Sequence, residues 1–588
     1  MYLRIVKAAG GAGATYEYVR LVESYREGNK TKQRVVFNLG RRDILAEHLD
    51  GLIRLLRGEP RAGTAAGEAQ ALGAWDWGPV LVARQLWREL GLEKLLDQMG
   101  GRGHADGVAL SDRALVLVTN RLCEPSSEHG LARWLETDFV CDRHGRRWMP
   151  QWREDEERRR SRSPRVRVQG RQLQRWYRTL DRLERHQAQI EQELYLRLRD
   201  LFSLKVDLVF YDLTSTYFEG KGPPMGAHGH SRDGKPRNRQ VLVGLVMVDG
   251  WPITHQVLRG NLRDATTVPG ILTELESRFG LRRVVFVGDR GMVTSDNIAL
   301  LRAHGQGYLV GLNRRRREEI FDYIETATGP WTECPVGIAA SEQAAPPKSF
   351  VQEVASKRPG VRIFVVKSEE RLTYEQAERL KAMGRVRAEL ERLERRVSQG
   401  RLKAPERIGA AAARILGRHH GQRYYEWQYQ EGRFRFFEHQ KNLAREQASE
   451  GKYLIQTEEQ ALTPIEAVAV YKELSEVERA FASLKDVIDM RPVYHHTNER
   501  VQAHIFVAAL AFLLHRAIEK KLKAARLDLS ATEALQALRT VRVVELKLGH
   551  QHQRTVARGS ARAQRILAAL GISSLDPPTP PKKDETVV

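Results

Sequence analysis

VDLVFYDLTSTYF (206–218) and, further along, VVFVGD (284–289) decide the fold. Each is a short apolar run, rich in Val, Phe and Tyr, that reads as a strand ending on an aspartate: Asp212 in the first, Asp289 in the second. Between them, QVLVGLVMVDGWPITHQVLRG (240–260) reads as two strands joined at Asp249-Gly250, a hairpin dipeptide, and 268–279 reads as a helix. After Asp289, DNIALLRAHG (296–305) reads as a helix and GYLVGL (307–312) as a strand. A carboxylate at the end of a buried strand is costly unless its charge is paired, hydrated or metal-bound.

Strand, hairpin, helix, strand, helix, strand is the element order of a ribonuclease-H-like core, an α/β mixed sheet with flanking helices. YKELSEVERAFASLK (471–485) supplies a third carboxylate from a helix. Its Leu474, Val477, Phe481 and Leu484 form an apolar seam. Tyr471, Glu478 and Lys485 recur at intervals of seven and stack in one line beside that seam, whereas Glu473 and Glu476 fall on other faces. Three carboxylates gathered by one sheet and one helix make a hard oxygen site suited to Mg²⁺ or Mn²⁺. Each also has an ordinary reading. Asp212 could cap a turn through Leu213, Thr214 and Ser215, Asp289 could pair with Arg290, and the helix could be merely amphipathic. Their joint appearance, in this order and in a basic chain, favours chemistry.

The basic character is pronounced. Among 588 residues, 96 Lys and Arg stand against 74 Asp and Glu, a formal net charge of +22, which favours a polyanionic partner such as nucleic acid. Three scattered cysteines (Cys123, Cys141, Cys334) give no disulfide framework, and Cys141 with His144 lacks the second pair a zinc module needs. No signal pattern or bilayer-length apolar run is evident, and IFVAALAFLLHRAI (505–518) reads as a buried core helix. The expectation is a cytoplasmic, nucleoid-associated protein with no membrane contact.

The chain divides into a small basic β-hairpin unit (1–45), a Gly/Ala-rich linker (46–78) and a helical region with a charged arm (79–204). The first part of the core (205–313) is followed by an insertion rich in short strands (314–464), including VRIFVVK, RYYEWQYQ, RFRFFEH and GKYLIQT. The second part of the core (465–520), a C-terminal helical region (521–572) and a Pro-rich, disordered tail (573–588) complete it.

The stretches DLTSTYFEG (212–220), GHSRDGKPRNRQVLVGL (229–245), GDRGM (288–292) and VERAFASLKDVIDMRPVYHHTNERVQAHIFVAALAFLL (477–514) carry a resemblance. In this order they resemble the DDE transposases of bacterial insertion sequences, in the branch with a Tyr-x2-Arg-x3-Glu-x6-Lys helix. Tyr471, Glu478 and Lys485 fit that spacing, while Leu474 occupies the arginine slot, which puts that arginine's DNA contact in doubt. Such enzymes carry a strand-rich insertion between the second aspartate and the glutamate, which fits the long gap from Asp289 to Glu478.

The resemblance implies that Asp212, Asp289 and Glu478 are the catalytic and metal-holding residues, with two Mg²⁺ ions (Mn²⁺ can substitute) cutting and joining DNA. It places Lys485 on a transposon-end phosphate and Tyr471 against the backbone or sugar. His230, Ser231, Arg232, Lys235, Arg237 and Arg239 would line the DNA channel, joined by Arg290, Arg314 to Arg317 and Arg491. His495 and His496 could suggest a metal, though a structural or phosphate-facing role is commoner. Trp427, between Tyr425 and Tyr429, could stack on an extruded base, although aromatics at period two more often pack a small sheet. The implied partners are double-stranded DNA, as inverted repeats and target, and a second copy of the chain in the DNA complex. The competing functions are a nuclease of this fold that cuts without joining, and a non-catalytic DNA-binding relic.

Overall fold

The computed structural model describes residues 2–9, 15–27, 30–46, 69–100, 108–148, 171–202, 208–281, 284–288, 290–292, 294–312, 318–334, 348–548 and 551–578. Three antiparallel strands open the chain: β1 (Tyr2–Ala9), β2 (Thr15–Glu27) and β3 (Lys30–Arg41). The expected hairpin is β2–β3, and β1 adds a third strand at its edge. The stretch expected to be a linker instead carries β4 (Ala69–Asp76), a strand because it finds a partner near the far end of the chain. Helices then run to α1 (Arg171–Phe202), whose Trp176, Leu180, Leu183 and Ile190 are buried as its apolar stripe requires. Most of the charged arm (149–170) and the run Arg314 to Arg317 lie outside the described residues.

β5 (Leu208–Tyr217), β6 (Gln240–Val248) and β7 (Trp251–Arg259) form an antiparallel meander. The helix α2 (Val268–Phe279) leads to β8 (Val285–Gly288), and β9 (Gly307–Leu312) follows. β8 lies parallel to β5 and to β9, so the centre reads β7-β6-β5-β8-β9. This is the mixed sheet expected of a ribonuclease-H-like core. All nine residues of β6 are buried, which demands cover on both faces of the sheet.

The sheet does not stop at β9. β10 (Thr332–Cys334), β11 (Ser349–Val354) and β12 (Arg362–Ser368) come next in the chain. They are followed by α3 (Glu369–Ser398), α4 (Pro405–Arg418), the hairpin β13 (Tyr425–Gln430) and β14 (Arg433–Glu438), and then β15 (Lys452–Thr457). β15 pairs with both β9 and β12, so four strands expected to lie in a separate β-rich insertion instead complete a nine-stranded sheet. The reason is burial. Ile363, Phe364, Val365 and Val366 of β12 are all buried, which only an interior strand with both faces covered allows. What protrudes is mostly helical: α3 has 30 residues and α4 has 14, against 6 in each strand of the β13–β14 hairpin. It has its own core, built from Val386, Leu390, Ile408, Ala412, Tyr425 and Phe434.

The helix α5 (Pro464–Ala482) crosses the sheet, and α6 (Asn498–Ala524) follows. By length and composition α6 could cross a membrane, which the sequence reading did not expect, but 83% of its most apolar window is buried inside the protein. It is the core helix foreseen. The C-terminal region expected to be helical contains a hairpin, β16 (Arg542–Leu548) and β17 (Gln551–Ala557), and β16 is the partner of β4. The start of the expected disordered tail is docked, since Trp77 Nε1 donates to the Leu575 carbonyl at 2.7 Å. Residues 579–588 lie outside the described residues.

Candidate active site

Asp212 sits mid-strand, not at a strand end. β5 continues to Tyr217, paired with β6, so the turn-capping alternative is excluded. The parallel partner β8 ends at Gly288, opposite Tyr211. Past that point the edge of β5 changes neighbour. Val493, after the Glu478 helix, donates its amide to the Tyr217 carbonyl at 3.0 Å. Among the described residues no strand covers this edge of β5 between Asp212 and Thr216. The opening lies off the carboxyl end of a parallel strand, where α/β sheets generally bind ligands. Asp212 is half-buried there, and its Oδ1 accepts from the Leu213 amide at 2.7 Å.

Asp289 itself lies outside the described residues, as does the side chain of Arg290. Its predecessor Gly288 is registered with Tyr211, the predecessor of Asp212.

Register also fixes which face Asp212 uses. Tyr211 is buried on one face, its hydroxyl donating to Thr267 Oγ1 at 3.1 Å, and alternation sends Asp212 to the other. Gly288 registers with Val310, so Gly311 shares the face of Asp212. A Cβ on Gly311 would lie 2.1 Å from the Tyr471 hydroxyl, so α5 covers that face. Tyr471 also meets the Tyr453 ring at 5.7 Å. It is therefore half-buried against β9 and β15. Glu478 is seven residues on, about 10.5 Å along the helix, and β5 is two strands from β9, about 9.6 Å. The helix packs against β9, β8 and β5, with Glu478 on the C-terminal side of Tyr471. Glu478 is exposed, whereas Leu474, Val477, Phe481 and Leu484 are buried as expected. Glu476 faces elsewhere, pairing with Arg516 of α6 at 3.2 Å. Leu474, in the arginine slot, is only 6% exposed and points into the core.

Lys485 does not project into solvent. Its Nζ lies 2.7 Å from Asp233 Oδ1, with side-chain exposures of 10% and 1%. Burial pushes its ammonium below the usual lysine range, with Asp233 opposing. Arg491 pairs with the same oxygen of Asp233 and, at 2.7 Å, with Asp486. Arg232 is committed to Asp264, both oxygens within 2.8 Å. His230 and Arg237 are exposed, Arg239 donates to the Lys221 carbonyl at 2.9 Å, and Lys235 lies 5.8 Å from the Tyr217 ring. Tyr217, Asp233, Lys235, Lys485, Asp489 and Arg491 line an open cleft of about 420 Å³.

Trp427 stacks on Phe434 at 5.8 Å and packs over Gly409, in the core of the protruding unit. His495 is turned inward toward Glu128 at 3.6 Å, beside His504. These three could hold a metal by spacing, but Arg121 donates to His504 Nδ1 from 3.3 Å while Nε2 faces the Met490 carbonyl at 3.2 Å. That grouping is a structural anchor.

The residue missed by sequence reading is Asp233. It lies in the quoted stretch 229–245, where its arginine and lysine neighbours drew the attention; its signal was an Asp-Gly turn, with Gly234 at φ 67°.

Comparison with known proteins agrees with the core. Residues 207–514, more than half the chain, match the transposase DDE domain family, and residues 3–67 match the N-terminal domain of IS1634 family transposases. A cryo-EM structure of a piggyBac transposase synaptic complex with hairpin DNA aligns over 79% of each chain, with 9% identity and a TM-score of 0.32. No curated protein matches. The family's chemistry is divalent-metal dependent and acts on DNA. The chain belongs to the DDE transposases of insertion sequences.

Proposed function

We propose that this transposase binds the terminal inverted repeats of its element as a dimer and moves it by cutting and joining DNA, with Asp212, Asp289 and Glu478 as the reacting centre. The observation that carries the reading is the opening along β5. Asp212 faces it at the level where β8 ends, and α5 crosses the same face with Glu478 two turns beyond Tyr471. The donors are all carboxylate oxygens, in a half-buried and an exposed setting, which suits a hard cation such as Mg²⁺, or Mn²⁺ in its place, two per site. When bound, such ions polarise the phosphate and ease ionisation of the attacking oxygen.

The chain's own contribution is to orient. The three carboxylates fix where an attacking oxygen and a scissile phosphate meet, water first and the DNA 3′-hydroxyl in joining. The exposed cations of the β5–β6 loop, Lys235 and Arg237 beside His230, lie within reach of the flanking backbone. A cytoplasmic, nucleoid-associated location follows from a DNA substrate.

The test is strand transfer with purified protein, Mg²⁺ or Mn²⁺, labelled element ends and a supercoiled target, against Glu478→Gln. Joined products that vanish in the variant are expected. Cleavage without joining would move the assignment to a nuclease, and intact ends bound in either metal would mark a DNA-binding relic.

A further inference from the structure

We propose that Asp233 is a positioning residue for the three carboxylates. With Arg232 it forms a two-armed ionic tie that fixes the segments bearing Asp212, Asp289 and Glu478 before cation or DNA arrives. The inference rests on those three being the metal-holding residues.

The first arm runs from Asp233 to the Glu478 segment and to β5. One oxygen takes Lys485 at 2.7 Å together with Arg491; the other accepts from the Ser215 hydroxyl at 3.3 Å. Ser215 is fully buried on β5, three residues from Asp212, and its oxygen also accepts from the Arg232 amide at 2.9 Å. Lys485 follows the Glu478 helix directly, in a π-helical turn (Ser483–Val487) that prolongs it. The second arm runs from Arg232 to Asp264 at 2.7 Å. A Cβ on Gly291, two residues after Asp289, would lie 3.2 Å from the same carboxylate. One dipeptide of the β5–β6 loop thus touches β5, the Glu478 segment and a residue packed on the Asp289 loop.

The physical need is plain. Carboxylates gathered to hold a cation repel one another before it enters, and packing and opposite charge around them help to hold their segments in place. Outer partners that orient metal ligands do this in metal sites generally. The alternative role for Lys485 and Arg491, as free phosphate contacts, fits less well. Both are already paired, and around the cleft Lys235, Lys485 and Arg491 are balanced by Asp233, Asp486 and Asp489.

The experiment uses the full chain and the variants Asp233→Asn, Lys485→Met, their double, and Arg232→Gln. Mn²⁺ uptake without DNA is followed by spin resonance, and binding of element-end DNA is measured in EDTA. Asp233→Asn is expected to weaken Mn²⁺ binding by about 10- to 100-fold, leaving end-DNA affinity within the scatter of wild type. The double variant should be no worse than the worse single, since both remove one tie. Unchanged Mn²⁺ binding in a folded Asp233→Asn overturns the proposal. So does Lys485→Met that loses end-DNA affinity with metal binding intact. If Asp233→Asn does not fold, Arg232→Gln decides by the same two readings. Wild type that takes up no Mn²⁺, or Glu478→Gln that binds it as wild type does, strikes at the carboxylate assignment instead.

Discussion

Gly311 is the residue on which the placement of the Glu478 helix turns. It belongs to β9, and any side chain there would press on the Tyr471 hydroxyl, 2.1 Å from an added Cβ, and on the ring carbon at 2.8 Å. Gly311→Ala is expected to cost about 1–3 kcal/mol through overpacking and, by lifting α5, to lower end cleavage more than end binding. Tyr471→Phe in that background should restore part of both, as melting curves and single-turnover cleavage would read. Leu474 makes a second case. Relatives are expected to carry arginine in its slot, but here the position is core, so Leu474→Arg buries an unpaired charge. A loss of several kcal/mol with no gain in end-DNA affinity is expected, and tighter binding by a stable variant would refute that placement. The line from Tyr471 to Glu478 was readable because the helical period alone sets it, whereas Lys485 falls in a π-helical turn (Ser483–Val487) that this period does not describe. Asp233 was not, because a carboxylate among arginines reads as one more solvated charge until distant Lys485 and Arg491 are seen to close on it.

At the scale of elements, α6 is held at its N-terminal end by a buried polar anchor. His504 is 5% exposed, and burial, with Arg121 beside it, holds its imidazole well below the ordinary value of 6.5. A histidine depressed on folding is neutral in the folded chain and charges on unfolding. Its stabilisation is therefore present above pH 6.5 and is lost as pH falls. Glu128 is buried, which raises its carboxyl, yet His495 and Arg121 hold it below its usual range, so it titrates only lower down. Between pH 6.5 and 5 the loss approaches about 1.4 kcal/mol per pH unit. The melting temperature should therefore drop over that range, and His504→Asn should flatten the slope. An unaltered slope in the variant would assign the dependence elsewhere. The protruding unit gives another element-scale expectation. It leaves at Ser368 and returns at Gly451, whose carbonyl accepts from the Ser368 amide at 2.8 Å, and it has a separate core. Replacing 370–449 by a short Gly-Ser turn should leave the nine-stranded sheet folded by circular dichroism. An unfolded product would mean that the unit supports the sheet. The sequence showed β12 to β15 but neither their partners nor the short strands β10 and β11. β12 and β15 are apolar enough to be interior, yet which edge they join depends on pairing across a long insertion, and local pattern does not encode that.

At the scale of the molecule, the chain's two ends meet. β4 pairs with β16, and β17 carries the N-terminal sheet, with Thr555 Oγ1 donating to the Asn38 carbonyl at 3.3 Å and Gln553 filling the space over Gly40. No local signal foretells a partnership between residues so far apart in sequence. Among its described residues the N-terminal sheet buries little of itself, chiefly Val22, and shows water a basic surface including Arg4, Arg26 and Lys32. The cleft lined by Asp233, Lys485 and Arg491 is charge-balanced, so the +22 of the whole chain must act on DNA mainly from other surfaces, and this sheet is one that is both basic and exposed. Binding by many phosphate contacts falls with salt at about 0.9 logarithmic units per contact. Deleting residues 1–46 should therefore weaken end-DNA binding and reduce the magnitude of the salt slope, measured from about 50 to 200 mM NaCl, while lowering the melting temperature little. Lys485→Met should leave that slope unchanged, because its charge is already neutralised inside the protein. If instead the truncation keeps the full slope and Lys485→Met lowers it, the cleft is where the backbone is gripped, and the division between a gripping surface and a reacting centre drawn here would be reversed.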